Sequence, residues 1–441
     1  MPNAELLQRA QELGVNLHPQ RAKRIVITGY AEITPHGDAD QTWEAQLEGR
    51  SVARLFPEGQ DSKVKVAGPI DNFKLEDYFD RREMRGMSVI KGQVIHTSRQ
   101  AAGMAGILRE DGKLDSSQNK HDWTTWIGTG NGATQHQVDV WQDVHADPHR
   151  RTSVFKVLEL LMEEVNAGVS MDLGIGGWGG SSSEACATGL GNPVGAARLI
   201  REGLIKGAIT GGFDNALEAY PEIGIALFAA PRVLTTNEDP ATASRPFDKN
   251  RDGFLISAGG GVVIMEEEEH AKARGATILA EVFGYAKSMD GEDPTNMNTS
   301  NVARTMLTAM WDEESDEFHK IDAIFAHSTS TKEGDLAEAE AIRKAFGEDA
   351  PNIPITATKS VLGHELGGAG GSNLVTAVRA VIEQKIPHIA GLEEPDPDVA
   401  DLMLIRDKPL EIALRKVIVV AYGFGGHNAA MVIGRYKEEA A

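Results

Sequence analysis

Residues 181–189 read SSSEACATG and hold Cys186, the only cysteine among 441 residues. A thiol just ahead of a helix faces the positive end of its dipole, which favours thiolate. Backbone N–H groups at such a place can also face an oxyanion. The plainer account is a buried structural cysteine. Glu184 two residues earlier predicts a raised thiol pKa, and Pro193 with its glycine neighbours weakens the first turns of a following helix.

Three further stretches set polar side chains at glycine-rich turns. In FAHSTSTKEGD (325–335), His327 ends an apolar run, where α/β folds place ligands. Asp335 and Glu338 just after it read by themselves as a helix capping box. TATKSVLGHELGGAGG (356–371) carries Lys359 and His364, and VVAYGFGGHN (419–428) runs a strand into a glycine turn. One Cys, two His and one Lys make a set suited to covalent acyl transfer.

The elements that must position these groups alternate. Strand-like runs lie at 24–30, 124–130, 205–212, 260–266, 278–286, 321–327 and 416–426. Helical patterns lie at 193–204, 301–314, 335–347 and 373–384. This alternation predicts an α/β fold with buried strands. RIVITGY near the start and ILAEVFGYA at 278–286 resemble each other weakly, which suggests a duplication without showing one.

Length points to two domains or one large duplicated one. The net charge of −21 argues against nucleic-acid binding. A lone cysteine and the lack of a signal peptide or long apolar run predict a cytoplasmic protein with no membrane span.

With these residues in place, the chain resembles the type I/II β-ketoacyl-ACP synthases of the thiolase superfamily. The matching motifs are EACATG, HSTSTKEGD, TKSVLGHELGGAGG and GFGGHN, in the family's order, with SRPFDKNRDGF (244–254) between the first two. The resemblance runs from about 23 to 435. It implies a thiolase-like layered α-β-α-β-α fold built from two duplicated halves, 23–275 with the nucleophilic Cys and 276–441 with the two His, behind an N-terminal helical extension over 1–22. It further implies a homodimer, with the strand before the Cys near the twofold axis.

Carried over, Cys186 accepts the acyl group. His327 and His364 donate hydrogen bonds to the malonyl thioester carbonyl, Lys359 holds the loop and the second His, and Glu338 supports that network. Backbone N–H groups of Cys186 and Tyr422 form the oxyanion hole. Tyr422, Phe424 and Asn131 line or gate the pocket. Substrates ride on the phosphopantetheine of an acyl carrier protein, and no bound cofactor or metal is implied. Arg81, Arg82, Arg85 and Arg232 are candidates for docking the carrier, with a solvated helix face as the equal alternative. A biosynthetic thiolase needs a second cysteine, so decarboxylative condensation is favoured, and the resemblance implies fatty-acid biosynthesis as its setting. A specialised or polyketide-type condensing enzyme, or an inactive partner subunit, is the alternative.

Glu184 stands where the family has Thr, Ser328 where it has Gly, and Tyr422 where a phenylalanine often gates the pocket. Two further signals are weak. GIGGWG (174–179) fits a dinucleotide fingerprint only literally, and His145 with His149 has metal-like spacing but no third ligand.

Overall fold

The computed structural model describes residues 8, 9, 12, 23–56, 63–132, 134–147, 157, 158, 160–218, 220–312 and 315–438. Nine strands form the main sheet: β1 (Ile25–Ile33), β2 (Trp123–Gly128), β3 (Gly207–Asp214), β4 (Gly259–Glu267), β5 (Ala280–Met289), β6 (Ala323–Phe325), β7 (Ile355–Thr356), β8 (Lys416–Gly423) and β9 (His427–Gly434). Their spatial order is β7-β6-β8-β9-β5-β1-β4-β3-β2.

The two wings repeat one pattern. From β1 outward the neighbours β4, β3 and β2 pair antiparallel, antiparallel and parallel. From β5 outward β9, β8 and β6 do the same. The two wings pair with each other where Ile25–Ile27 of β1 meet Ala280–Val282 of β5. Strands such as β3 are buried along their whole length, so they read as unbroken small and apolar runs such as GAITGGFD rather than alternating ones.

Six helices complete the layers. The helices α3 (Thr188–Arg201) and α6 (Ala369–Glu383) pack on each other and on both wings, so they are the middle layer. On one outer side α1 (Val89–Met104) and α2 (Glu164–Leu173) cover the β1–β4 wing, and on the other α4 (Thr299–Met310) with α5 (Lys332–Phe346) covers the β5–β9 wing. Three apolar clusters fill the spaces between layers. This is the thiolase-like α-β-α-β-α arrangement.

Glycine makes the middle layer possible. A Cβ at Gly189 would lie 2.5 Å from the backbone N of Gly371, and one at Gly370 would lie 2.6 Å from that of Leu190. The two helices therefore touch backbone to backbone, which no larger residue allows. Tertiary packing overrides the weak helical propensity of this stretch: α3 starts at Thr188 and carries Pro193 inside it.

Two expected elements end or fail for reasons visible in the structure. The helix expected over 301–314 stops at Met310, because Trp311–Asp312 pairs with Glu317–Phe318 as a short antiparallel ladder. No ladder forms just before the Cys, where the resemblance implies a strand: in 179–183, beside β2, the Gly180 carbonyl accepts from the Asn166 side chain and the Ser182 backbone is bonded to the Asn192 side chain. Of the proposed extension over 1–22, only Gln8, Arg9 and Glu12 lie among the described residues, and all three are helical. Arg9 donates to the carbonyls of Arg343 and Lys344 at the end of α5.

Candidate active site

Cys186 sits in the turn that leads into α3. Ala185 before it has φ +48°, a left-handed conformation that costs a non-glycine residue energy and persists only when packing enforces it. Two backbone N–H groups, those of Cys186 and Phe424, point at the sulfur. The resemblance implies Tyr422 as the second donor. Phe424 supplies it instead, because Tyr422 lies inside β8 whereas Phe424 follows the strand's end at the glycine turn. Burial pushes the thiol up to about 12; Lys359 opposes the rise and Asp214 adds to it. The carboxylate that acts on the thiol is thus Asp214 and not Glu184, whose charge is taken up by Lys287.

Cys186, His327, His364, Tyr422 and Phe424 line one cavity of about 770 Å³. The histidine rings stand 5.5 Å apart at 88°. His327 follows β6, and Glu338 on α5 fixes its loop. The Glu338 carboxylate accepts the N–H of His327 (2.8 Å), the N–H of Ser328 (2.7 Å) and the Ser328 hydroxyl (2.5 Å). Asp335 lies within α5 rather than ahead of it, so there is no capping box: its carboxylate accepts from Phe247 and Ser330 N–H.

Lys359 is 3% exposed. Its ammonium donates to the carbonyl of His327 at 2.6 Å and lies 3.4 Å from that ring's Nδ1. The lysine thus holds the first histidine, not the second. With a donor at Nδ1, the His327 ring proton belongs on Nε2. Burial lowers Lys359 to about 8, with Glu338 opposing. Burial and Lys359 also hold both imidazoles well below the ordinary histidine value, so they are neutral at pH 7. His364 is anchored by its backbone, donating to Leu255 O and accepting from Ser257 N–H, with its ring edge-on to Phe254.

Two supports are not evident from spacing. Asp214, at the end of β3, accepts N–H bonds from Gly130, Asn131 and Gly367 and so ties the GTGNG turn to the His364 loop. Arg251, fully buried, donates to the carbonyls of Thr331 and Lys332 and to Asp396, bracing the start of α5. A buried Asp among glycines and an Arg within SRPFDKNRDGF were the available signals. Asn131 belongs to the Asp214 tie and does not line the cavity, which corrects its expected pocket role.

Phe424 is 39% exposed at the mouth, whereas Tyr422 is buried with its ring 5.4 Å from that of His327. A gating role therefore fits Phe424 alone. Arg232 is exposed between the lining residues Pro231 and Val233; Arg81, Arg82 and Arg85 are exposed in the turn before α1, and none of the four lines the cavity. His145 stacks on Trp141, and His149 lies outside the described residues.

This fold, with a cysteine under paired N–H donors and two neutral imidazoles across a cavity, defines a thiolase-like condensing enzyme. Comparison with known proteins agrees. The family model for the β-ketoacyl synthase N-terminal domain matches residues 22–271, and that for the C-terminal domain matches 279–393. A curated relative, 3-oxoacyl-[acyl-carrier-protein] synthase 2 of Staphylococcus aureus (strain COL), is 34% identical over 424 residues, covering 94% of this chain and 99% of its own. A β-ketoacyl synthase from Burkholderia phymatum STM815 superposes with a TM-score of 0.85 at 27% identity over 94% of this chain and all of its own. A type II PKS acyl-carrier protein in complex with its ketosynthase bound to the hexaketide gives a TM-score of 0.82 at 24% identity, covering 95% and 100%, which speaks to the fold alone. The chain belongs to the β-ketoacyl synthase family.

Proposed function

We propose that the protein is a 3-oxoacyl-ACP synthase that joins an acyl group to malonyl-ACP with loss of CO2. The observation that carries this reading is the convergence of Cys186, His327 and His364 on one cavity, with Lys359 fixing the first imidazole.

In acyl transfer, the carrier thioester's carbonyl oxygen enters the space between the N–H groups of Cys186 and Phe424. These stabilise the tetrahedral oxyanion as Sγ attacks and the carrier thiol leaves. Malonyl thioester then binds with its thioester carbonyl against the imidazole N–H groups of His327 and His364. Decarboxylation leaves an enolate whose oxygen these donors stabilise. The enolate carbon attacks the acyl-Cys carbonyl, forming the 3-oxoacyl thioester and freeing Cys186. Neutral imidazoles suit the task, because each keeps one N–H to donate.

The same reading assigns the acyl carrier protein as partner, with Arg232 nearest the mouth, and takes 23–275 and 276–441 as the duplicated halves. It also implies a homodimer in the cytoplasm. The segment 179–183, which joins no ladder, and the 52% exposed Trp178 beside it support self-association, since an exposed indole next to extended backbone favours a second copy. Among the described residues no helix is long and apolar enough to cross a membrane.

Intact-protein mass spectrometry with acyl-ACPs of several lengths, beside Cys186→Ala, tests the proposal. A gain of one acyl mass, absent in the variant, supports it. No gain at any length, together with no release of CO2 from malonyl-ACP, refutes it.

A further inference from the structure

The turn that carries the nucleophile is clamped from the opposite half of the molecule. Glu184 is buried, and its Oε1 receives both the Lys287 ammonium and the Ser182 hydroxyl, the latter at 2.5 Å. Its backbone is tied as well: its N–H donates to Thr188 Oγ1 at 2.8 Å and its carbonyl accepts from Ala187 N–H at 3.0 Å. Lys287 stands on β5, in the wing that bears the two histidines, and its side chain is 35% exposed. Gly423 presses on the same turn from β8: a Cβ there would lie 2.4 Å from Glu184 O and 3.1 Å from Cys186 N. Between Glu184 and Cys186 lies the strained Ala185.

A left-handed alanine needs its neighbours held on both sides. The covalent continuation into α3 holds one side. The ion pair to β5 holds the other.

We propose that Glu184 and Lys287 act as a pair of positioning residues, fixing the strained turn so that the Cys186 sulfur stays between the N–H groups of Cys186 and Phe424. The pair does two jobs. It tethers the nucleophile turn of one wing to the wing that carries the other donors. It also compensates a buried carboxylate two residues from the thiol. This rests on Cys186 being the acyl acceptor. Lys359 and Asp214 act on the thiol, and His327, His364, Glu338, Glu333, Asp290, Asp293 and Tyr422 line the same cavity; the substitutions below leave all of these in place.

The test compares wild type, Lys287→Met, Lys287→Arg and the double variant Glu184→Gln/Lys287→Met. Three quantities are read: single-turnover acylation by octanoyl-N-acetylcysteamine, the pH midpoint of iodoacetamide alkylation, and melting temperature. Lys287→Met is expected to slow acylation about tenfold, since misplacing a reacting atom costs rate rather than binding, with KM unchanged and the alkylation midpoint moved to higher pH. Lys287→Arg restores both. The double variant, from which the lone carboxylate is gone, regains the wild-type midpoint but stays slow because the tether is lost. Equal acylation rates and equal midpoints in wild type and Lys287→Met overturn the proposal, whatever the melting temperatures do. If Lys287→Met does not fold, the arginine and double variants decide. If wild type accepts no acyl group, the functional reading falls, and the alkylation midpoints still judge the pair.

Discussion

Lys359 reaches 2.6 Å to the carbonyl of His327 and 3.4 Å to its Nδ1, across the gap between the short helix Lys359–Leu362 after β7 and the loop after β6. One ammonium thus sets both the position and the tautomer of the imidazole that faces the substrate. Removing it should separate the two half-reactions.

In Lys359→Met, the Cys186 thiol and its two N–H donors remain, so acylation persists. Decarboxylation of malonyl-ACP should fall about 10²-fold or more, the usual worth of a positioned donor in a transition state. CO2 release and acyl-enzyme formation, measured on the same preparation, check this. An equal loss in both would show that the lysine acts mainly through the cysteine, whose raised thiol pKa it also opposes.

Glu338→Ala should be strongly destabilising. It leaves the buried N–H groups of His327 and Ser328 and the Ser328 hydroxyl without an acceptor. At about 1–3 kcal/mol for each orphaned group, the urea midpoint should drop far more than for Glu333→Ala on the exposed first turn of the same helix.

Glu365 gives a pH signature. Burial raises its carboxyl to about 8, Ser372 and Lys359 oppose the rise, and it faces the equally buried Glu32. A raised folded-state pKa means that the folded chain binds the proton more tightly. The contribution is therefore fully present below the unfolded value and is lost as pH rises to about 8. Wild type should lose stability relative to Glu365→Gln as pH rises from about 4.5, the ordinary Glu value, towards 8, and the difference should level off above it. Urea melts of both proteins across this range check the sign.

Tyr422 carries a buried hydroxyl with no hydrogen-bond partner among the described residues. Tyr422→Phe should be neutral or stabilising, by up to about 1 kcal/mol, and should leave acylation intact, because the second N–H that faces the sulfur is the backbone of Phe424. A loss of acylation with unchanged stability would assign the hydroxyl a role in binding.

Gly189→Ala places a Cβ 2.5 Å from the Gly371 backbone. The two central helices must then move apart, at a cost of about 1–3 kcal/mol or more. A lowered urea midpoint is expected, and an unchanged one would mean that the helices can separate freely.

Chain order and residue type determined the chemistry of this protein. A single Cys, two His and a Lys, each at a glycine-rich turn, were legible as an acyl-transfer set, and alternating apolar runs were legible as α/β layers. Those features are local: they depend on side-chain type and on spacing within one element. Which group serves which partner was decided only by the fold. Phe424 rather than Tyr422 faces the sulfur because the strand ends between them. Lys359 meets His327 rather than its near neighbour His364, because the short helix that starts at Lys359 converges on the loop after β6. Glu338 binds loop amides rather than closing a capping box, and Glu184 finds its counter-charge on β5, 103 positions away. Such pairings depend on distances across layers, and no spacing along one chain encodes a distance between wings that only the folded sheet and its packed helices bring together.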